Sequence, residues 1–294
     1  MARRPLMDAL VGRLGAAEAL DAPAAAVAGQ VRERLGAGGL KDLLSGTWLG
    51  HPLHPVLTDV VIGTWTSATI LDLIGGRGSR GAAERLIGVG IAAAVPTAAS
   101  GSSDWADSTV GDAQVRRVGL VHAAANVAAL GLYGASLLAR RRGRHQRGVG
   151  LGAAGAGLIV GSSYLGGHLT FARGIGVDQT VFDRQPVEWA DAVAADDLTE
   201  GEPRVATIGG TEVMLVRADG AVRALDDRCC HRGGPLHEGE VSRGTVTCPW
   251  HGSVFRLEDG SVERGPGTYP QPAYDTRVQD GRIQIRLQRP AYGR

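Results

Sequence analysis

The chain has 294 residues, of which 31 are lysine or arginine and 30 are aspartate or glutamate, giving a formal net charge of +1. This length allows two domains, and the balanced charge excludes the strongly basic character on which nucleic-acid binding usually depends. Glycine is frequent, at 45 residues, while aromatic residues make up 4% of the chain. Small apolar residues concentrate in the first half, and the second half is more polar.

Residues 1–50 are predicted to form an amphipathic helical segment. Asp21 and Pro23 are typical helix-start residues for one of its short amphipathic patterns. Arg3 and Arg4 are followed by a proline and by no apolar stretch of the signal-peptide type, so we expect no cleaved export signal. We interpret the segment as a cytosolic or interfacial lead into a membrane.

Residues 51–173 are predicted to form an all-α four-helix transmembrane bundle in the cell membrane. Each of four apolar stretches is close to the length of about 20 residues that a bilayer-spanning helix needs. Their alanines and glycines allow close helix packing in lipid. A G-x-G-x-x-G sequence at 150–155 follows no strand, which argues against a dinucleotide site. A soluble bundle is the alternative. The stretches lie at about 55–75, 86–103, 118–139 and 148–168.

Four histidines are predicted to lie at one membrane face if the spans alternate in direction. Ionisable residues within spans are unfavourable and often functional. Three interpretations stay open: interfacial side chains that cap helix ends, a haem b ligated for example by two of these histidines, and a quinone pocket or non-haem metal site. The four are His51, His54, His122 and His168, with His122 and His168 the suggested haem ligands.

Residues 174–187 are predicted to be a linker, and residues 188–289 an all-β domain. Alternating apolar and polar residues, as in E-V-M-L-V-R and R-I-Q-I-R-L, are typical of half-buried strands. Asp-Gly pairs between such runs are typical of tight turns. We therefore expect a small antiparallel β-sandwich or barrel.

Two pairs of candidate metal ligands lie in this domain. Cys229 and His231 form a C-x-H pair, and Cys248 and His251 form a C-x2-H pair. Thiolate and imidazole ligands together indicate iron or zinc. A structural zinc site is the alternative, although zinc usually takes cysteine or histidine pairs at other spacings.

The pattern C-x-H…C-x2-H-G-S, with the proline-rich segment Arg264 to Pro272, resembles the Rieske family over residues 184–288. The resemblance implies a [2Fe–2S] cluster that has two cysteines on one iron and two histidines on the other. It also implies that Ser253 donates a hydrogen bond to a bridging sulfide, and that Trp250 and the loop around Pro266 shield the cluster. The implied ligands are Cys229, His231, Cys248 and His251.

Two departures from the family pattern concern the chemistry. Quinol-oxidising members carry an extra cysteine in each cluster loop, whereas Trp250 stands at that place in the second loop here. Phe255 stands where such members have a tyrosine that bonds a cysteine sulfur. Fewer hydrogen bonds to sulfur lower the reduction potential, so we expect a ferredoxin-type centre. Cys230 has no obvious partner and is interpreted as a free thiol.

The first half resembles a second family, the predicted membrane proteins of DUF2231, over roughly residues 40–175. The similar stretches are the run from Leu44 to Trp65, S-G-S-S-D-W-A-D at 100–107, H-A-A-A-N from His122, and G-G-H-L at 166–169. The resemblance implies four membrane helices, and no activity follows from it.

Together these features predict a membrane-anchored one-electron carrier with a redox partner protein or quinone as its partner. The alternatives are a ferredoxin subunit of a Rieske oxygenase, a subunit of a quinol-oxidising membrane complex, and a redox sensor that uses Cys230. Arginine-rich loops after the first and third spans place the Rieske region outside by the positive-inside rule, whereas a free thiol favours the reducing cytosol. Both orientations stay open, as does the oligomeric state.

Overall fold

The computed structural model describes residues 6–109 and 112–288 and divides into two compact units. The first unit runs to Gly36 and resumes over Pro52–Ile175, and the second contains Ala37–His51 and the chain from Gly176. The division has an edge between His51 and Pro52, next to the predicted boundary at residue 50, and a further edge after Gly36. The short segment before the first apolar helix belongs with the C-terminal unit because its hydrogen bonds are made there.

The first unit is helical, as predicted. In the described ranges, four helical stretches are long and apolar enough to cross a membrane: Leu53–Ile74, Arg77–Ser108, Ala113–Arg141 and His145–Ala172. These confirm the four predicted spans. The helices are α1 Leu6–Gly15, α2 Asp21–Leu35, α4 Leu53–Ile74, α5 Arg80–Ser108, α6 Ala113–Arg141 and α7 His145–Gly167, and α3 Gly39–Ser45 lies in the second unit.

Aromatic and small residues together pack this bundle. Trp65 of α4 stacks on Tyr133 of α6, with ring centroids 3.9 Å apart, and both side chains are almost fully buried. Gly90 of α5 lies so close to the Trp65 ring that a β-carbon there would collide with it. The small residues that lower the hydropathy of the spans therefore provide the room for large side chains on neighbouring helices.

One ion pair is buried between two of the spans. Arg140 of α6 donates from Nη1 to Asp72 Oδ1 of α4 at 2.8 Å, and its Nη2 contacts the second carboxylate oxygen. The side chains are 1% and 7% exposed. A two-point contact between guanidinium and carboxylate is the geometry that best offsets the removal of both charges from water.

The second unit contains two antiparallel sheets and confirms the predicted all-β fold. The six-stranded sheet has the order β1-β10-β9-β4-β3-β2, and the four-stranded sheet has the order β5-β6-β7-β8. Asp219–Gly220 and Asp280–Gly281 make hairpin turns with positive φ. The strands are β1 Ala190–Ala194, β2 Arg204–Ile208, β3 Thr211–Ala218, β4 Ala221–Asp226, β5 Glu240–Ser242, β6 Thr245–Thr247, β7 Val254–Arg256, β8 Val262–Arg264, β9 Ala273–Gln279 and β10 Arg282–Leu287.

Most of the predicted linker is bonded to the second unit. The Gln179 amide donates to the Cys230 carbonyl at 2.9 Å, and the Leu287 amide donates to the Pro186 carbonyl at 2.7 Å. Thr180 is fully buried. Backbone groups in this stretch thus find partners in the sheet and in a loop that carries candidate metal ligands.

Candidate metal centre

Two loops with the same backbone geometry present the four candidate ligands. In the loop after β4, the Cys229 amide donates to the Gly234 carbonyl at 2.9 Å, and the Gly233 amide donates to the Cys229 carbonyl at 2.8 Å. In the loop between β6 and β7, Cys248 pairs in the same way with Ser253 at 2.8 Å and with Gly252 at 3.0 Å. Gly233 and Gly252 both have φ near +75°. Each cysteine therefore begins a closed turn that a glycine completes.

The structure brings the four predicted ligands together as a buried pair and a partly exposed pair. Cys229 and Cys248 are 1% and 2% exposed and are within hydrogen-bonding distance of each other through their sulfur atoms. The imidazoles of His231 and His251 meet edge to face with ring centroids 5.1 Å apart. Nδ1 of His231 is buried without a hydrogen-bond partner among the described residues. Buried polar atoms are rarely left so in a finished structure.

The surroundings of the candidate ligands shift their pKa values. Hydrogen bonding to Cys230 and burial raise the pKa of Cys229, and hydrogen bonding to Cys229 and burial raise the pKa of Cys248. Burial, then the neighbouring His251, lowers the pKa of His231. Burial and these contacts disfavour the thiolate and imidazolium forms, and a bound cation would stabilise the thiolates. Two buried sulfurs beside two imidazoles fit a two-iron cluster.

The ligands are arranged as two pairs. In the described ranges, no three or more histidine, cysteine, aspartate or glutamate side chains are arranged to hold a single metal ion. A [2Fe–2S] cluster of the Rieske type takes two protein ligands on each iron, which is the grouping that the two loops provide.

The two loops approach each other closely at Gly234. A β-carbon at this position would lie 2.9 Å from the Cys248 sulfur and 2.9 Å from Cγ of Trp250. Trp250 is 54% exposed, and its ring stands edge-on to His251 at 6.3 Å. The tryptophan therefore lies over the contact between the two loops, on the side of His251.

A third loop, between β8 and β9, packs on the second ligand loop. The Gly267 amide donates to Ser253 Oγ at 2.9 Å, and both Ser253 and Pro266 are buried. Phe255 is fully buried beneath them. Because Ser253 accepts from Gly267, its own hydroxyl proton is available for a second hydrogen bond.

Cys230 is a free thiol, as predicted, but the expectation that it lacks a partner is wrong. Its sulfur donates to the Tyr269 carbonyl at 3.1 Å, and its side chain is fully buried. Gln271 makes the corresponding backbone contacts: it accepts from the Cys230 amide and donates to the Asp226 and Arg228 carbonyls. Sequence reasoning missed Gln271, although a lone amide between two prolines was a signal of a specific contact.

The histidines of the helical unit are bonded within the protein. His122 Nδ1 lies 2.9 Å from the Ser162 carbonyl, and its Nε2 lies 3.1 Å from Asn126 Nδ2. His54 Nδ1 lies 3.0 Å from the Thr97 carbonyl. With both ring nitrogens engaged, His122 offers no lone pair to an iron, so the haem interpretation gains no support.

The four histidines are divided between the two units. His51 belongs to the second unit, where its ring meets Tyr269 edge to face with centroids 5.7 Å apart. His168 begins the π-helical turn that ends the last span, and its Nε2 is buried without a hydrogen-bond partner among the described residues. The alternation of spans groups these residues by membrane face, but it does not predict which elements they pack against.

Two protein-family models match this chain. The family model of the Rieske [2Fe-2S] domain matches residues 188–275, and the model of the predicted membrane proteins of DUF2231 matches residues 50–179. The chain joins a DUF2231 domain to a Rieske domain. Both resemblances drawn from the sequence are thereby confirmed, and the DUF2231 match together with the four apolar helices makes this a membrane protein.

The following relatives match about a quarter of the chain or less. Apoptosis-inducing factor 3 from Homo sapiens is 44% identical over 61 residues, which are 21% of this chain and 10% of that protein. The ferredoxin component of the naphthalene 1,2-dioxygenase system from Pseudomonas putida is 32% identical over 69 residues, or 24% of this chain and 66% of the ferredoxin. This chain thus spans a tenth of the first relative and about two thirds of the second.

A further ferredoxin relative and a solved structure complete the comparison. The ferredoxin component of the alkene monooxygenase system from Xanthobacter autotrophicus is 35% identical over 77 residues, covering 26% of this chain and 63% of that protein. The ferredoxin of carbazole 1,9a-dioxygenase from Nocardioides aromaticivorans is 27% identical, covers 34% of this chain and 98% of its own, and has a TM-score of 0.33. Two of these relatives are ferredoxin components of oxygenase systems.

Proposed function

We propose that this protein is a membrane-anchored one-electron carrier with a [2Fe–2S] cluster held by two cysteines and two histidines. The observation that carries the proposal is the pair of equivalent turns, which brings two buried thiols beside two imidazoles. We assign Cys229 and Cys248 to the inner iron, and His231 and His251 to the outer iron. When bound, the cluster supplies reversible one-electron chemistry.

Residues around the proposed cluster are expected to tune its reduction potential and its access to water and to a partner. We assign to Ser253, whose hydroxyl oxygen accepts from the Gly267 amide, a hydrogen bond to a cluster sulfur, which would favour the reduced state. Pro266 and Phe255 keep water away from the thiol side of the pocket. The histidine side carries Trp250, whose exposed ring beside His251 is where we place the docking of a redox partner.

The partner is proposed to be a redox protein, since the ferredoxin relatives are components of oxygenase systems. A quinone is the second candidate partner, and the missing loop cysteine at Trp250 disfavours it. We propose the cell membrane as the location, with the helical unit as a multi-pass anchor. Haem b forms no part of the proposal.

The test is a pair of spectra on detergent-purified protein, as isolated and after reduction with dithionite. We expect two iron atoms per chain and, after reduction, the electron paramagnetic resonance signal of a histidine-ligated [2Fe–2S] cluster with a low average g value. Cys248→Ser should lose this signal. Cys230→Ala, which changes the neighbouring buried thiol, should keep it.

Three results would overturn the proposal. These are zinc without iron in the purified protein, a reduced signal typical of four cysteine ligands, and loss of the cluster in Cys230→Ala with retention in Cys248→Ser. A haem absorption band would instead return the histidines of the bundle to consideration as ligands.

A further inference from the structure

The stretch Ala37–His51 belongs to the Rieske unit, although it precedes the first apolar helix in the chain. It contains the short helix α3 and a single helical turn, Thr47–Leu49, and is called the lead segment below. Residues 37–49 lie outside both family matches. The role of this segment in the Rieske unit therefore has to be inferred from its contacts.

The lead segment contacts the loop between β8 and β9 on both sides of Pro266. On one side, Asp42 Oδ1 accepts a hydrogen bond from the Gly265 amide at 2.8 Å. On the other side, Thr47 Oγ1 lies 3.4 Å from the Gly267 carbonyl. The loop is thus held by side chains that come from more than 200 residues earlier in the chain.

The fit between the lead segment and this loop is close. A β-carbon at Gly265 would lie 3.0 Å from Asp42 Oδ1 and would collide with Thr47 Oγ1. Farther along the loop, Tyr269 meets the ring of His51 edge to face. The contacts therefore extend along the loop, and the hydrogen bond to Gly265 lies where the approach leaves no room for a side chain.

The same loop determines the surroundings of the Ser253 hydroxyl. The Gly267 amide donates to Ser253 Oγ at 2.9 Å, and a β-carbon at Gly267 would lie 3.2 Å from that oxygen. Ser253 is fully buried, so it cannot exchange this partner for water. A displacement of the loop would therefore change the direction of the hydrogen bond that we assign between Ser253 and a cluster sulfur.

We infer that Asp42 is a positioning residue for the metal centre: it holds the Gly265 amide, fixes the loop against Ser253, and thereby raises the reduction potential of the cluster. The inference rests on the proposed function. Asp42 acts as a hydrogen-bond acceptor in this role, so an uncharged oxygen at the same place should serve equally well.

The test compares two variants by redox titration of the full-length protein in detergent, followed by electron paramagnetic resonance. Asp42→Asn removes the charge and keeps an oxygen acceptor, whereas Asp42→Ala removes both. The difference between the two variants therefore isolates the hydrogen bond. The ratio of reduced to oxidised cluster at a fixed potential should be about threefold lower in Asp42→Ala, or about 30 mV for one electron.

A double-mutant comparison shows whether Asp42 acts through Ser253. In a Ser253→Ala background, Asp42→Ala and Asp42→Asn should have the same potential, because the effects of coupled residues are not additive. Asp191→Ala is the matched control, since it removes an aspartate of the same unit that accepts from Gln284 at 2.7 Å. It should leave the potential unchanged.

Hydrogen exchange of the loop amides gives a readout that does not depend on the potential. A peptide that contains residues 264–268 reports the Gly265 and Gly267 amides by mass. These amides should exchange at least about tenfold faster in Asp42→Ala than in Asp42→Asn, since the loop opens more readily once its partner is removed.

The outcomes separate the two proposals. A wild-type protein without a [2Fe–2S] signal overturns the proposed function, and the inference with it. A normal cluster whose potential is the same in Asp42→Ala and Asp42→Asn overturns the inference alone. Equal exchange of the loop amides in these variants also overturns it, as does a difference in potential that persists without the Ser253 hydroxyl.

Discussion

The histidines of the two units have different surroundings. In the helical unit, Arg140 bonds Asp72 and His122 bonds Ser162 on another helix, whereas His168 Nε2 is buried without a hydrogen-bond partner among the described residues. In the Rieske unit, two thiols and the buried Nδ1 of His231 converge with no carboxylate, carbonyl or hydroxyl to satisfy that nitrogen in the described ranges. The partners of Arg140 and His122 are protein groups, whereas the two thiols and the His231 nitrogen are suited to receive a ligand.

This contrast shows that residue type and depth do not decide function by themselves. Histidine in an apolar span is often a functional residue, yet the neighbours of His122 satisfy both of its nitrogens. The histidines of the Rieske unit are distinguished by the loops that carry them, since each lies two or three residues after a cysteine in a turn closed by a glycine.

The difference between the two units is tested most directly by changing one histidine in each unit. His231→Ala should abolish the [2Fe–2S] signal, because it removes half the ligands of the outer iron. His122→Ala should leave the signal and its potential unchanged and should affect the stability of the bundle only. Iron content and electron paramagnetic resonance of both purified variants check this. A cluster that survives His231→Ala, or one that disappears with His122→Ala, would contradict the division of roles.

The buried ion pair of the helical unit gives the next largest effect. Asp72→Asn leaves the Arg140 guanidinium buried, at 1% exposure, without its counter-charge, and should destabilise the bundle by about 3–5 kcal/mol. Unfolding in mixed detergent, followed by the helical circular dichroism, measures the loss. The double variant Asp72→Leu with Arg140→Met removes both charges and should recover most of the stability. Equal losses in the single and double variants would show that the pair itself is not the cause.

Much of this architecture could be predicted from local sequence. The four spans followed from apolar length, the strands from alternation and Asp-Gly turns, and the C-x-H and C-x2-H pairs named the candidate ligands directly. The spacing was informative because each pair sits within one tight turn, so that a few residues determine its geometry. In the structure, the two pairs lie in equivalent turns, and each turn is completed by a glycine at positive φ.

Long-range contacts could not be predicted in the same way. Nothing near Asp42 in the sequence indicates that it accepts from the Gly265 amide, 223 residues away, and Gln179 lies in the stretch predicted to be a linker. Both residues make hydrogen bonds with loops that are far away from them in the sequence. Periodicity describes one element at a time and carries no information about such partners.

Within the Rieske unit, a buried carboxylate gives a smaller, pH-dependent effect. Burial raises the pKa of Asp226 to about 6, although Gln185 and Tyr274 donate hydrogen bonds to it. The folded protein therefore binds this proton more tightly than the unfolded chain does. The resulting stabilisation is present at low pH and is lost as pH rises from about 4 to about 6, a change of about 3 kcal/mol.

Asp226→Asn should remove that pH dependence and make the unit more stable than wild type above pH 6, by about 3 kcal/mol at most. Urea unfolding at several pH values, followed by the visible circular dichroism of the cluster, measures the difference between the two proteins. A constant difference across this pH range would mean that Asp226 does not titrate there.

The smallest expected effect concerns the hydroxyl of Ser253. Ser253→Ala removes one hydrogen bond of about 1 kcal/mol that we assign to a cluster sulfur, and it also removes the acceptor of the Gly267 amide. The variant should keep the [2Fe–2S] signal and lower its potential by no more than about 59 mV, a tenfold change in the ratio of reduced to oxidised cluster. Ser253→Thr keeps the hydroxyl and should lie nearer to wild type. An unchanged potential with reduced stability in Ser253→Ala would mean that the hydroxyl bonds only the Gly267 amide. Ser253 would then resemble His122, whose hydrogen bonds are made within the protein.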